Sequence, residues 1–287
     1  MDISRDYLSG KITGFANYID RFFGGDRHYQ ESNRTVFQLD FTRAMGYGVT
    51  RHYDFAARMN LRLPVTEGRL HLLVETDPEK NIAAETTPAQ VSPVLPNQVA
   101  APPGVALAVR VEKAKEERWH FSTDGGLKFH GPAAPAPFVR TRGSFTAPMG
   151  EWRLKAAESV YWFSTIGAGE TSQLDLEHII SAPVLFRATS TATWLRDKSN
   201  FDLRQDLSFF HALSDRTALL YQASIIGVSN PQSRVSDYVV LLNYRYRLHR
   251  EWQFLDISPQ LHFPAERNYR ASGALLMRLE ILFDESR

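Results

Sequence analysis

From Asn33 onward the chain repeats apolar side chains at every second residue. Phe37, Leu39 and Phe41 alternate with Gln38, Asp40 and Thr42. The next stretch carries the pattern furthest, with Tyr53, Phe55, Ala57, Met59, Leu61 and Leu63 set against Asp54, Ala56, Arg58, Asn60 and Arg62. Period two belongs to a strand with one apolar and one polar face. Strands of soluble domains average about five or six residues, whereas a strand crossing a bilayer at a tilt needs roughly 9–11. Alternation of this length predicts membrane-crossing strands.

The same grammar recurs at Leu70–Val74, Val105–Val111, Trp119–Phe129, Val139–Phe145, Trp152–Phe163, Leu174–Ile180, Phe186–Trp194, Phe201–Phe209, Leu219–Ile225, Tyr238–Leu248, Leu255–Phe263 and Ser272–Phe283. Asp124-Gly125-Gly126 has the composition of a hairpin turn, yet alternation runs through it, so it reads as strand interior. The expected fold is all-β: a transmembrane antiparallel up-and-down barrel of about fourteen strands, twelve being the other count the pattern allows. An even number puts both chain ends at one mouth. Tight turns at Ala182-Pro183, Ser214-Asp215 and His249-Arg250 against longer connections at 196–200, 229–236 and 264–271 fit short periplasmic turns and longer external loops.

Ahead of the strands, Leu8, Ile12, Phe15, Ala16, Ile19, Phe22 and Phe23 have helical spacing, with Ser4 placed to cap and Gly24-Gly25 to terminate. This amphipathic helix has three open placements: against the nearest apolar surface, on the inner leaflet, or inside the barrel. Residues 1–30 are assigned to the helix and lead-in and 31–287 to the barrel, with 77–103, rich in Pro, Ala, Thr and Gln, as a long surface loop. Gly131–Pro137 and the glycines around 167–169 read as further loops. Glu158 and Gln205 fall in the apolar phase, so each is expected to mark a bulge, a register change or a misplaced boundary.

Composition changes this picture little. A hydrophobic content of 43%, mean hydropathy of -0.31 and net charge of +1 suit a soluble protein and a membrane barrel alike, because a barrel alternates its apolar residues with polar ones. No run approaches about 18 apolar residues, which excludes a transmembrane helix. The absence of cysteine suits passage through an oxidising compartment. The polar start holds no export signal, so an exported protein would be represented here by its mature form. No basic block stands out, and no nucleic-acid partner is expected. The tryptophans fall at predicted strand ends, Trp119, Trp152 and Trp252 at one level and Trp162 and Trp194 at the other, as two interfacial girdles would require.

The closing strand carries Gly273, Ile281 and the near-terminal Phe283, which resembles the assembly signal of Gram-negative outer-membrane barrels. YWFS at 161–164, YRYRLHREWQFLDISPQLHFP at 244–264 and LLMRLEILF at 275–283 resemble a family of uncharacterised proteobacterial outer-membrane β-barrel proteins. In size and strand number the chain is similar to small monomeric fourteen-stranded porins. The resemblance implies a Gram-negative outer-membrane location, contact with outer-membrane lipid and lipopolysaccharide, insertion by the barrel-assembly machinery, and a monomer. A periplasmic partner is expected to meet the protein through its N-terminal helix. It implies no activity.

With the apolar set facing lipid, the opposite set lines the lumen. Its basic members include Arg58, Arg110, Lys128, Arg187, Arg245, Arg247 and Arg278, and its acidic members Asp40, Asp124, Asp175, Glu177, Asp256 and Glu280, close to balance overall. Arg140, Arg142, Arg153 and Lys155 fall on neighbouring strands as a basic wall beside Asp175 and Glu177, and rings of Arg and Lys favour anionic solutes in pores. The same charges also suit a lumen merely held together by cross-strand pairs. Arg140, Arg142, Arg153, Lys155, Asp175, Glu177, Arg245 and Arg247 are the expected solute contacts.

No GxSxG, HExxH or P-loop occurs, and no cofactor or metal is expected. Ser208 with His211, and Ser258 with His262, are the nearest approach to a hydrolytic pair, but their spacing does not bring them together on a strand. His120, His130 and His262 share the lumen phase and suit a polar network more than a metal site. The functions open are a passive channel or transport component for small polar, including anionic, solutes; a non-conducting plugged barrel serving as a scaffold; a lipid-acting barrel enzyme; and a soluble β-rich binding protein.

Overall fold

In a bilayer every backbone N–H and C=O must be bonded within the protein, and alternating strands achieve this by closing into a barrel that leaves no free edge. The computed structural model describes Gly14, Tyr18, Ile19, Phe22 and Phe23, and residues 35–47, 49–63, 69–79, 103–113, 118–131, 134–196, 200–230, 232–250 and 252–284. Among these lie fourteen strands: β1 (Val36–Gly46), β2 (Val49–Arg62), β3 (Leu70–Thr76), β4 (Val105–Glu112), β5 (Trp119–Phe129), β6 (Ala136–Met149), β7 (Trp152–Phe163), β8 (Gly167–Ser181), β9 (Val184–Leu195), β10 (Asn200–Ser214), β11 (Thr217–Val228), β12 (Arg234–Arg247), β13 (Gln253–Pro264) and β14 (Ser272–Asp284). Each pairs antiparallel with its sequence neighbours, and β14 pairs with β1 from Val36 opposite Asp284 to Gly46 opposite Ala274, closing the barrel.

Burial alternates along most of the strands, β4, β5 and β7 among them. In β4, Ala106, Ala108, Arg110 and Glu112 are buried while Val105, Leu107, Val109 and Val111 are exposed. The outside is therefore an apolar belt and the inside a polar core. Trp119 and Trp162 are exposed outward at opposite strand ends, Trp152 and Trp194 share their outward phase, and Trp252 stacks on the outward Phe283. On the closing strand Gly273, Ile281 and Phe283 occupy the outward phase, and Phe283 also stacks on Phe37 of β1.

Several expected boundaries move. The glycines at 167–169 open β8 instead of forming a loop, and Gly167 accommodates a φ of 79° there. Pro137 lies inside β6, and β12 begins at Arg234. Glu158 and Gln205 mark no irregularity: pairing is unbroken through both, to Gly143 and Ser172 and to Ser190 and Ile225 respectively. The register shifts that exist lie near strand ends, at Ala44/Gly46, Ile179/Ser181, Ala212/Ser214 and Ile226/Gly227. Turn lengths alternate only in part. The turn after β1 is as short as any at the opposite mouth, and the turn expected at His249-Arg250 extends over 248–252. Most of the amphipathic segment and of the 77–103 loop lies outside the described residues; Gly14, Tyr18, Ile19 and Phe22 are helical.

Adjacent glycines in β5 make the two faces testable. A Cβ on Gly126 would meet the Leu107 carbonyl oxygen at 2.4 Å and Ala108 Cβ at 2.6 Å, whereas one on Gly125 meets nothing within 4 Å. Gly126→Val is expected to lower stability by about 2 kcal/mol or more and Gly125→Val to lie within about 0.5 kcal/mol of the parent. Urea titration of the inserted barrel, read by gel mobility, checks both; equal effects would contradict the assigned faces.

Candidate functional site

The lumen concentrates charged side chains, and among the described residues three of its networks join a carboxylate to two guanidinium groups. On β3–β6, Asp124 is clamped by two guanidinium groups: Arg110 donates Nε at 2.6 Å and Nη2 at 2.9 Å, and Arg140 donates Nε at 3.0 Å and Nη2 at 2.6 Å. Arg140 also reaches Glu75 at 3.5 Å. On β7–β9, Glu177 accepts from Arg153 Nε at 2.5 Å and Arg187 Nε at 2.7 Å, and Asp175 accepts from Gln173 and Thr189. On β12–β14, Arg245 donates to Asp256 at 2.7 Å and to Glu280, while Arg278 donates to Asp256 at 3.0 Å. Each network joins carboxylates on one strand to cations on the next, which is what register brings opposite: Arg110 with Asp124, Arg153 with Glu177, Arg245 with Asp256. Charge-assisted, often bidentate bonds of this kind are the strong ones.

Apolar clusters sit at the two mouths. At the mouth shared by the chain termini, Ile19, Phe22 and Phe23 pack among the lumen-facing Leu185, Phe210, Ala218, Leu220 and Phe254. Phe22 meets Phe254, and Phe23 meets Phe210, edge to face at 5.9 and 5.3 Å between centroids. Arg247 lies 5.2 Å over Phe22 and 5.5 Å over Phe254, and Arg187 covers Phe210. Of the three open placements, these residues occupy the barrel interior. At the opposite mouth Leu73, Ala106, Ala108, Phe138, Tyr161, Phe163, Ile166 and Leu195 form a second cluster.

All eight expected solute contacts face inward, but they are not one surface. Arg140, Arg142, Arg153 and Lys155 line one arc with Asp175 and Glu177, all buried. Arg140 and Arg153 are each engaged by carboxylates, and Lys155 stands in register opposite Asp175. Arg245 belongs to the network across the barrel, and Arg247 to the N-terminal mouth. Ser208 and His211 occupy opposite phases of β10. Among the described residues no group of His, Asp and Glu is arranged to hold a metal ion.

Sequence reading missed two features carried by connections. Glu79, just past β3, is buried, accepts from Lys128 Nζ at 2.8 Å and Thr165 Oγ1 at 2.6 Å, and so draws the start of the long connection over the opposite mouth. At that same mouth His262 Nδ1 lies 2.8 Å from Asp237, and the His262 ring is 5.0 Å from that of Tyr47. The Tyr47 hydroxyl donates to Glu266 at 2.9 Å under the Arg267 guanidinium. Burial, that hydrogen bond and the nearby Glu266 and Asp237 carboxylates push Tyr47 up to about 12, Arg267 opposing. Turn residues have no period to read.

A closed barrel with an apolar outer belt edged by tryptophans and a polar interior has one environment that suits it. The chain is an outer-membrane β-barrel. Known structures of similar fold include a loop-deletion mutant of OmpT, an outer-membrane protein of Vibrio cholerae (10% identity, TM-score 0.48, covering 87% of this chain and 98% of that one). The outer-membrane channel DcaP of Acinetobacter baumannii is another (9%, 0.45, 87% and 96%), as is the KdgM porin, also solved with disordered oligogalacturonate (6%, 0.40, 86% and 99%). No protein-family model matches the chain, and no curated protein matches it in sequence. At such identities a shared barrel says nothing of shared solutes.

Arg245 is the tightest test of the lumen. Its removal leaves Asp256 and Glu280 buried with less cationic compensation, so Arg245→Met is expected to cost about 3–5 kcal/mol in urea unfolding of the inserted barrel. A change below about 1 kcal/mol would mean that the network contributes little to stability.

Proposed function

We propose that this barrel is a passive channel for small polar solutes, its N-terminal mouth narrowed by Ile19, Phe22 and Phe23. The observation that carries the reading is a closed barrel whose interior is lined by charged and hydrogen-bonding side chains, several of them without a partner among the described residues. Ser159 Oγ, Gln173 Oε1, Gln222 Oε1, Asn243 Oδ1 and Ser258 Oγ are buried and have no partner among the described residues. Buried polar atoms are paired in proteins, and where the protein does not pair them, water or a polar solute does. A barrel selected only to be rigid gains nothing from unsatisfied acceptors along its axis.

Preference for anions is read as a property of the basic wall as a whole, Arg140, Arg142, Arg153 and Lys155, which line one arc of the lumen. Deleting residues 1–30 is expected to raise single-channel conductance in planar bilayers by about ten-fold or more, the full chain showing rare or small openings. In the deleted barrel, Arg142→Gln with Lys155→Gln is expected to move the reversal potential towards cation preference; an unmoved potential would remove the anionic part of the reading.

A second reading draws on the apolar cluster at the opposite mouth together with Glu79. Closed at both ends, the barrel would serve as a non-conducting scaffold. Silence from the deleted barrel, with insertion verified by heat-modifiable gel mobility, favours that reading over the channel.

A further inference from the structure

The outer wall is apolar and bulky around most of the barrel, but one stretch is neither. Glu158 projects outward from β7 between Trp152 and Trp162, which occupy the same face of the same strand near its two ends, so its carboxylate lies within the apolar belt. Around it the outward positions are small or polar: Gly143 on β6, Ala156 on β7, Ser172 on β8, Ser190 and Ala192 on β9 and Gln205 on β10. They floor a hollow of about 990 Å³. Phe121 closes over Gly143 on one edge, where a Cβ would meet its ring at 2.9 Å; Leu203 and Ile225 bound the other. Ser190 and Gln205 bond each other at 2.5 Å, but Glu158 has no hydrogen-bonding or ionic partner among the described residues.

Lipid chains supply no donor to a carboxylate at this depth, so a group of this kind on the lipid face calls for a partner that brings one. The wall itself carries such a donor next door. Ser172 stands in register opposite Glu158, and Leu174 opposite Ala156. A two-fold axis along the membrane normal between β7 and β8 turns these neighbours into cross-contacts: Ser172 of one copy towards Glu158 of the other, and Leu174 towards the space left by Ala156. A self-complementary patch of this sort is what an isologous dimer requires, and small residues let two walls approach closely. We propose that, in place of the monomer the resemblance implies, a second copy of this chain packs on the face centred on Glu158, β7 and β8 against β7 and β8. The dimer stands independently of whether the lumen conducts.

The chain has no cysteine, so single cysteines report contacts without background. Ser172→Cys in the full chain, inserted in lipid vesicles, is expected to cross-link to dimer with a short bismaleimide, while Leu261→Cys, lipid-facing on β13, is not. Mass measurement of detergent-solubilised barrels is expected to give two chains per particle, falling about ten-fold in dimer fraction with Ser172→Trp, which fills the hollow. Glu158→Gln keeps a polar side chain able to bond the facing serine and is expected to retain the dimer, whereas Glu158→Leu weakens it. One chain per particle, three chains per particle, equal cross-linking from Leu261→Cys, or a lipid retained in the hollow and released by Ser172→Trp would each overturn the assignment.

Discussion

The hydrogen-bond ladder between β1 and β14 is the interaction on which the rest depends. Without that seam, β1 and β14 would present open edges to hydrocarbon, where unpaired backbone groups find no water. Closing it fixes the side-chain phase of both strands, because a slip of one residue exchanges inside for outside. Gly46 shows how close the approach is: its φ is 99°, and any side chain there would strike the Gly273 carbonyl. Phe37, Phe283 and Trp252 then stack outside the seam, while Asp40, Arg278 and Glu280 meet inside it.

Closure also forces charge into a small volume, and the barrel answers by alternating sign from strand to strand. Asp124 between Arg110 and Arg140, Glu177 between Arg153 and Arg187, and Asp256 between Arg245 and Arg278 repeat one motif of a carboxylate held by two guanidinium groups. Such clusters are costly to break and cheap to leave alone, so they brace the wall while their unsatisfied neighbours keep the axis polar. Ile19, Phe22 and Phe23 meet this interior through apolar and ring contacts. Phe22 and Phe23 slot against Phe254 and Phe210 beneath Arg247 and Arg187, so these two rings are held by contacts that desolvated cations favour.

Most of the wall was legible in the alternation, because a strand of membrane-crossing length has only two faces to assign. Tyr53 to Leu61, Trp119 to Phe129 and Leu275 to Phe283 show this directly. The strand ends were less legible: Gly167, Pro137 and Arg234 belong to strands although their residue types signal loops. The pairing of lumen charges was visible only as balance. Which arginine meets which carboxylate depends on register, set by closure and not by composition. Glu79, Tyr47 and Glu266, which lie in connections, left no periodic trace, whereas His262 was legible as a lumen residue. Glu158 and Gln205 were seen as exceptions to the pattern, and the unbroken ladder through both turns them from boundary errors into features of the outer wall.

The central claim is a wall with a lipid face and a wet, polar lumen, and a cysteine scan along β12 of the inserted barrel tests it most directly. Val239, Leu241 and Asn243 face inward and are buried by the barrel; Tyr238 and Val240 face outward and are exposed. With residues 1–30 removed, a small water-soluble thiol reagent should label cysteines at the first set, and a lipid-borne quencher should reach probes only at the second, giving a strict period of two. Labelling that ignores this period, or inward positions inaccessible to water even after removal of residues 1–30, would contradict it.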